Sequence, residues 1–213
     1  MDHDVSQSAR RLGVASALII VLSEALYAIS LAVGLSAAAS STEPIPDPYF
    51  TLMEILILIM APAIVTLAVA VYGTCDAGKK PLALAATVFA AILATITSAV
   101  HFSILFLSRS PAFSGMEQVF SFEWPSVVYV LDILAWDFFF PLFAVFLALS
   151  FARVGLEEWI RRFLLISGIL AILGLAGAAV GDMQLRNVGI LGYVGAFTVA
   201  AALIGLSMRR AIR

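Results

Sequence analysis

The chain has 213 residues, of which 62% are hydrophobic and 12% are charged, with a formal net charge of -2. Soluble domains average about 45–50% apolar and ~25% charged residues, so this composition excludes an ordinary soluble protein and indicates a lipid bilayer. The weak negative charge and the lack of a basic stripe exclude a nucleic-acid partner. The single cysteine, Cys75, excludes an internal disulfide and a multi-cysteine metal cluster.

Six apolar runs are long enough to cross a membrane, because a hydrocarbon core of roughly 30 Å needs about 20 apolar residues in a helix. Segments rich in proline, glycine and charge separate these runs. The sequence therefore predicts an all-α polytopic membrane protein, a six-transmembrane-helix bundle in which residues 1–213 form a single integral membrane domain. The predicted helices lie near 12–38, 49–73, 81–107, 124–151, 163–181 and 188–208.

The first apolar run follows Arg10 and Arg11 and precedes a stretch of small residues, as a signal peptide would. The hydrophobic region of a signal peptide has only about 7–15 residues, whereas this run is much longer and contains Glu24. We therefore predict that the first run is a retained transmembrane helix.

Lysine and arginine residues near helix ends predict the orientation, because they are retained on the cytoplasmic side. If the N-terminus is cytoplasmic, only Arg109 and Arg186 fall outside, and six spans return the C-terminus to the cytoplasm as well. The cations on the predicted cytoplasmic side are Arg10, Arg11, Lys79, Lys80, Arg153, Arg161, Arg162, Arg209, Arg210 and Arg213.

Ionisable side chains inside the predicted spans lie at the middle or in the outer half of the bilayer. An intramembrane charge costs about 2.5–3.5 kcal/mol on insertion scales and usually faces a partner or a water-filled cavity. We predict a polar site in two layers, one in which His101 meets Asp132 with Glu54 reaching in, and one in which Glu24 meets Asp137. These five residues are the candidate ligand-binding residues. Whether the first, third and fourth helices are adjacent stays open.

Further features of the predicted site are a proline and the spacing of two aspartates in the fourth span, and a pair of opposite charges just before the last span. Pro141 lacks the N–H group that would bond the carbonyl of Asp137, so either an ion site or a structural kink is expected there. Asp132 and Asp137 differ by about 140° around an α-helix, which predicts that they do not face one small ligand together. Asp182 and Arg186, at positions i and i+4, predict a structural ion pair within one turn.

Glycines recur in the last two spans and in the turn between them. Gly177 and Gly181 form a GxxxG pattern, and Gly189, Gly192 and Gly195 follow at intervals of three. Small residues at these spacings favour close packing of the last two helices. The sequence contains no nucleotide-binding loop, no catalytic triad order and no metal-ligand pattern, so we assign no metal and leave the cofactor unknown.

The stretch SFEWPSVVYVLDILAWDFFF, from Ser121 to Phe140, resembles segments in a group of uncharacterised bacterial multi-pass membrane proteins. The turn GDMQLRNVGILGY shows a weaker similarity to the same group. The resemblance implies a six-helix protein of the bacterial inner (plasma) membrane. It implies no known activity and transfers no site residues.

The loop between the third and fourth spans carries apolar residues at helical spacing. These are Phe113, Met116, Val119 and Phe120. The pattern predicts a short helix lying at the membrane interface over the polar site. Its role as a lid and its role as a plain connector are both left open.

Three functions fit the sequence. The first is a transporter-like membrane protein that binds a small molecule, a proton or a cation at the acidic and histidine site. The second is a structural or accessory subunit whose acids only satisfy neighbouring helices. The third is an intramembrane enzyme acting on a lipid or isoprenoid, in which His101 and a carboxylate exchange protons. The sequence does not decide whether the protein forms a homo-oligomer or joins a partner subunit.

Overall fold

The computed structural model describes residues 2–38, 45–108 and 110–212. Within those ranges, six helices are long and apolar enough to cross a membrane, and no strand is present. The six predicted helices are therefore confirmed. They are α1 Asp2–Ala37, α2 Tyr49–Thr74, α3 Lys80–Leu107, α4 Val127–Leu149, α5 Gly155–Val180 and α6 Met183–Arg210.

The largest boundary differences lie at the starts of α1, α5 and α6. Helix α1 begins at Asp2, about ten residues before the predicted start. Helix α5 begins at Gly155, well before the predicted start near residue 163, and its charged first turns include an ion pair between Glu158 and Arg162. Helix α6 begins at Met183 because the carboxylate of Asp182 accepts the N–H groups of Gln184 and Leu185. A criterion based on the length of apolar runs does not detect such polar first turns.

Helix α4 begins at Val127, slightly later than predicted, at a side-chain cap. The hydroxyl of Ser126 accepts the N–H of Tyr129 at 3.1 Å and donates to the carbonyl of Ser121 at 2.6 Å. We expect Ser126→Ala to lower the free energy of unfolding in detergent by about 1 kcal/mol, which a denaturant titration would measure. The matched control is Ser36→Ala, because the Ser36 hydroxyl is exposed and bonds only within its own helix. Equal stabilities of the two variants would contradict the capping role.

The six helices close into a ring. Each helix packs against the next helix in the chain, and α6 returns to pack against α1. The two termini meet, since the Arg10 guanidinium donates to the carbonyl of Ala211 at 3.3 Å. We call this end of the bundle the terminal end. The opposite end, where residues 45–48, 110–126 and 181–182 lie, is the loop end.

The half of the bundle near the terminal end is an apolar core. Phe140, Phe143 and Phe197 pack together with ring centroids 5.3–5.8 Å apart, and Phe197 meets the other two edge to face. Leu147 and Ile204 are fully buried in the same core. Among the described residues, every buried side chain of Asp, Glu, His or Arg lies elsewhere, toward the middle or the loop end. The core therefore seals one end and leaves the polar groups in the other half, as predicted.

The loop before α4 folds onto the ends of α3 and α4. It contains a 3-10 turn at Pro111–Phe113 and a short helix at Glu117–Phe120, with the rings of Phe113 and Phe120 5.1 Å apart. Phe120 and Phe122 pack against a small buried cluster of Val100, Ile104 and Val128. The predicted helix in this loop is thus present but shorter than the apolar pattern indicated. Arg109 and Arg213, two cations used for the orientation, lie outside the described residues.

Candidate functional site

Helices α2, α3, α4 and α6 bring charged side chains together in the half of the bundle near the loop end. We call this group the buried ion network and define it as Glu54, His101, Asp132, Asp137 and Arg186. All five side chains are buried. Four of them were predicted as candidate ligand-binding residues, and the fifth, Arg186, was predicted to have a purely local role.

His101 joins the acids of two neighbouring helices. Its Nδ1 lies 2.7 Å from Oε2 of Glu54 on α2, and its Nε2 lies 3.3 Å from Oδ1 of Asp132 on α4. The first contact is a hydrogen bond, whereas the second is an ion-pair contact without hydrogen-bond alignment. The predicted meeting of these three residues in one layer is therefore observed.

Arg186 is the centre of the network. Its Nη2 donates to Oδ2 of Asp132 at 2.8 Å, and its Nε donates to Oδ2 of Asp137 at 2.9 Å. Its Nη1 donates to the hydroxyl of Tyr129 at 3.1 Å, and the guanidinium lies 4.8 Å from the centre of the Tyr129 ring. All three donor nitrogens of the guanidinium thus have acceptors, as a buried arginine requires.

The predicted ion pair between Asp182 and Arg186 is wrong. Asp182 caps the start of α6, where its carboxylate accepts backbone N–H groups, while the Arg186 side chain turns into the bundle toward α4. A buried guanidinium gains more from two desolvated carboxylates than from one exposed carboxylate in its own helix. The spacing of four residues between Asp182 and Arg186 therefore did not predict the ion-pair partner of Arg186.

Asp132 and Asp137 lie closer together around α4 than a regular α-helix would place them, and the cause is a change of helix type. Residues Leu134–Phe139 form a π-helical segment inside α4. A π turn takes up one more residue than an α turn, so Asp137 lies about 40° from Asp132 instead of about 140°. Both carboxylates consequently reach the same guanidinium. Pro141 lies just after the segment, at the start of the following α-helical part Phe140–Leu149.

Close packing of α5 against α6 positions Arg186. Helix α5 ends at Gly181, whose φ of 75° is in the left-handed region that favours glycine. A Cβ atom added at Gly177 would lie 2.3 Å from the backbone nitrogen of Arg186, and one at Gly189 would lie 2.9 Å from Oδ1 of Asp137. The predicted close approach of the last two helices is confirmed. Gly195 instead faces open space.

The second predicted layer, a contact between Glu24 and Asp137, does not form. Oδ2 of Asp137 is bonded to Arg186, while Oδ1 of Asp137 and Oε1 of Glu24 have no hydrogen-bond partner. Glu24 on α1 is 2% exposed, so this carboxyl oxygen is isolated from both solvent and protein partners. A buried polar atom left without a partner costs about 1–3 kcal/mol, which makes Glu24 the unexplained group of the site.

A cavity of about 400 Å³ lies beside the network. Helices α1, α2, α3, α4 and α6 line it, and Ile45, Phe122 and Glu123 extend the lining into the connections at the loop end. The charged or titratable residues in the lining besides tyrosines are Glu24, Glu54, His101, Glu123, Asp132 and Arg186. The aromatic residues are Tyr27, Phe50, Phe122, Tyr129, Trp136 and Tyr193.

No family model, curated protein or solved structure matches this chain. Its function must therefore be inferred from the chemistry of the site itself. Asp137 belongs to the network but not to the cavity wall, so four of the five predicted ligand-binding residues line the cavity: Glu24, Glu54, His101 and Asp132.

The network limits the chemistry that its residues can perform. The two ring nitrogens of His101 lie beside carboxylate oxygens of Glu54 and Asp132, so the imidazole is held between α2 and α4. Within the described part of the chain, no three His, Cys, Asp or Glu side chains are arranged to hold a metal ion. Among the buried carboxylates that line the cavity, Glu24 is the one that forms no ion pair with another described residue.

Proposed function

We propose that this integral membrane protein binds a small molecule in the cavity beside the buried ion network and acts on it as a transporter-like protein. The observation that carries the proposal is Glu24, a buried residue that lines a cavity of about 400 Å³ and has a carboxyl oxygen without a hydrogen-bond partner. Binding sites for small molecules typically measure about 300–1,000 Å³ and combine apolar walls with a few polar groups.

In this proposal the terminal end faces the cytoplasm and the cavity opens to the other side. The support is the distribution of cations, which collect near the cytoplasmic ends of membrane helices. Among the described residues, nine lysines and arginines lie toward the terminal end, whereas Arg186 of the loop-end half is buried in the network. The resemblance of the Ser121–Phe140 segment suggests the inner membrane of a bacterium.

The two alternative functions account for the site less well. An intramembrane enzyme would need a proton-exchanging group, and His101 is held between Glu54 and Asp132. A purely structural subunit would explain the ion network, because its members pair within the chain. It would not explain why Glu24 stays unpartnered beside a cavity.

A screen of small molecules against the purified protein tests the proposal. A ligand of the folded state raises stability by about 2.7 kcal/mol at 100 times its Kd, which a thermal-unfolding assay in detergent detects. We expect hits whose stabilisation is lost in Ile190→Trp, because Ile190 lines the cavity and the larger side chain fills it. Ile190→Phe is a milder version if the tryptophan variant does not fold.

The matched control is Ile172→Trp, since Ile172 lies on α5, is 52% exposed and is not among the lining residues. It should keep the stabilisation by every hit. Compounds that stabilise all variants equally act through the micelle and would count against the proposal. The proposal fails if the screen yields no compound whose effect depends on Ile190.

A further inference from the structure

We infer that the ligand is an organic cation, with its positively charged nitrogen at Glu24 and its apolar body between the aromatic walls of the cavity. This inference rests on the proposed function and adds the chemical class of the ligand. Four observations support it: the free carboxylate, the excess of acidic groups, the engaged arginine and the aromatic lining.

Glu24 supplies the position for the charged group. Glu54 is bonded to His101, and Asp132 is in contact with both His101 and Arg186. Glu24 lines the same cavity, and one of its carboxyl oxygens has no hydrogen-bond partner in the protein. Since an intramembrane carboxylate needs a partner, a ligand that carries a cation supplies the missing charge.

The charges around the cavity favour a cation over an anion. Four carboxylates line it, Glu24, Glu54, Glu123 and Asp132, against the two basic side chains His101 and Arg186. An anion would need an unpaired positive charge, but the guanidinium of Arg186 already forms ion pairs with Asp132 and Asp137. An acidic cleft with low-dielectric walls concentrates cations.

The walls of the cavity favour an organic cation over a bare ion or a proton. Trp136 and Tyr193 contact each other with ring centroids 5.1 Å apart, and Tyr27 lies one turn after Glu24 on α1. Aromatic faces attract ammonium groups, by about 2 kcal/mol or more where water is excluded. A volume of about 400 Å³ holds a drug-sized body and far exceeds the space needed by one ion.

Three probes of similar size distinguish the effect of ligand charge on binding from the effect of ligand shape. They are benzyltrimethylammonium, its uncharged carbon isostere neopentylbenzene, and the anion benzenesulfonate. Binding to the full-length protein in detergent is measured by calorimetry or tryptophan fluorescence. A signal is assigned to the cavity only if Ile190→Trp removes it. We expect the cation to bind at least about tenfold more tightly than the isostere, and Glu24→Gln to remove this preference, since tenfold corresponds to about 1.4 kcal/mol.

The matched control is Glu123→Gln, which removes the same charge from an exposed position in the cavity lining. It should weaken cation binding by less than about threefold, and salt should abolish this smaller effect because exposed charges are screened. Glu24→Gln should remain folded, with a melting temperature without probe at or above that of the wild type, because a neutral amide is cheaper to bury than an unpaired carboxylate.

Two results would overturn the inference. If neopentylbenzene or benzenesulfonate binds as tightly as the cation, or if Glu24→Gln keeps the full affinity for the cation, the ligand is not a cation at Glu24. Ile190-dependent binding in that case leaves the proposed small-molecule function intact. If no probe binds in an Ile190-dependent way, the cation class is rejected, and the proposed function depends on the outcome of the wider screen.

Discussion

Replacing Arg186 with glutamine is expected to lower the free energy of unfolding by about 3–5 kcal/mol. The substitution removes the donors that Asp132 and Asp137 share and leaves two buried carboxylates without a counter-charge. Removal of one partner from a buried pair costs more than the pair itself contributes, because the remaining charge stays desolvated. Denaturant titration of the purified protein in detergent measures the change.

Two comparisons make the Arg186 result specific. Arg162→Gln removes an arginine from an exposed ion pair with Glu158 on α5 and should cost no more than about 0.5 kcal/mol. Adding Asp137→Asn to Arg186→Gln should recover at least about 1 kcal/mol of the free energy of unfolding, since it neutralises one of the two carboxylates that have lost their counter-charge. Equal costs for Arg186→Gln and Arg162→Gln would show that the network does not stabilise the bundle.

The sequence predicted the helices well because the bilayer constrains them strongly. Every membrane-spanning segment must satisfy its backbone internally and present apolar side chains over about 20 residues, so composition and length suffice to locate it. The polar site was located by the same reasoning, since Glu54, His101 and Asp132 are costly exceptions within apolar runs. Glu54, His101 and Asp132 meet because their helices are neighbours in the ring. The sequence of one span does not contain this information.

Arg186 shows what local spacing could not predict. Its neighbour Asp182 offered an ion pair four residues away, but the buried acids Asp132 and Asp137 on α4 needed a counter-charge, and Arg186 supplies it. Counting charges by depth, rather than by position along one helix, would have indicated this partner. The glycines of the α5–α6 turn were the second signal, because they bring the Arg186 backbone close to α5.

The π-helical segment of α4 was not predictable from the pattern of apolar residues. Its run of aliphatic and aromatic residues reads as a regular helix, and the extra residue per turn becomes evident only from the backbone bonding. The consequence for the site is large, because this local change places Asp137 beside Asp132. The cavity was also not predictable, because Tyr27, Trp136 and Tyr193 look like ordinary packing residues in the sequence and line a cavity only where α1, α4 and α6 meet.

Gly177→Ala is expected to destabilise the protein by about 1–3 kcal/mol through overpacking. The added methyl group would lie 2.3 Å from the backbone nitrogen of Arg186 and 2.7 Å from the carbonyl oxygen of Asp182. Both neighbours are backbone atoms, so the clash cannot be relieved by a side-chain rotation and the α5–α6 turn must open. Unfolding in detergent, monitored by denaturant titration, measures the loss.

The α5–α6 turn also holds Arg186 within reach of α4. The effects of Gly177→Ala and Arg186→Gln on the free energy of unfolding should therefore not be additive. In the Gly177→Ala background, Arg186→Gln should cost at least about 1 kcal/mol less than in the wild type, because the guanidinium is already displaced from Asp132 and Asp137. Gly195→Ala is the matched control: its methyl group meets open space, so it should be neutral or stabilising by up to about 1 kcal/mol through helix propensity. Additive costs of the Gly177 and Arg186 substitutions would mean that the glycine contact supports the bundle without positioning the arginine.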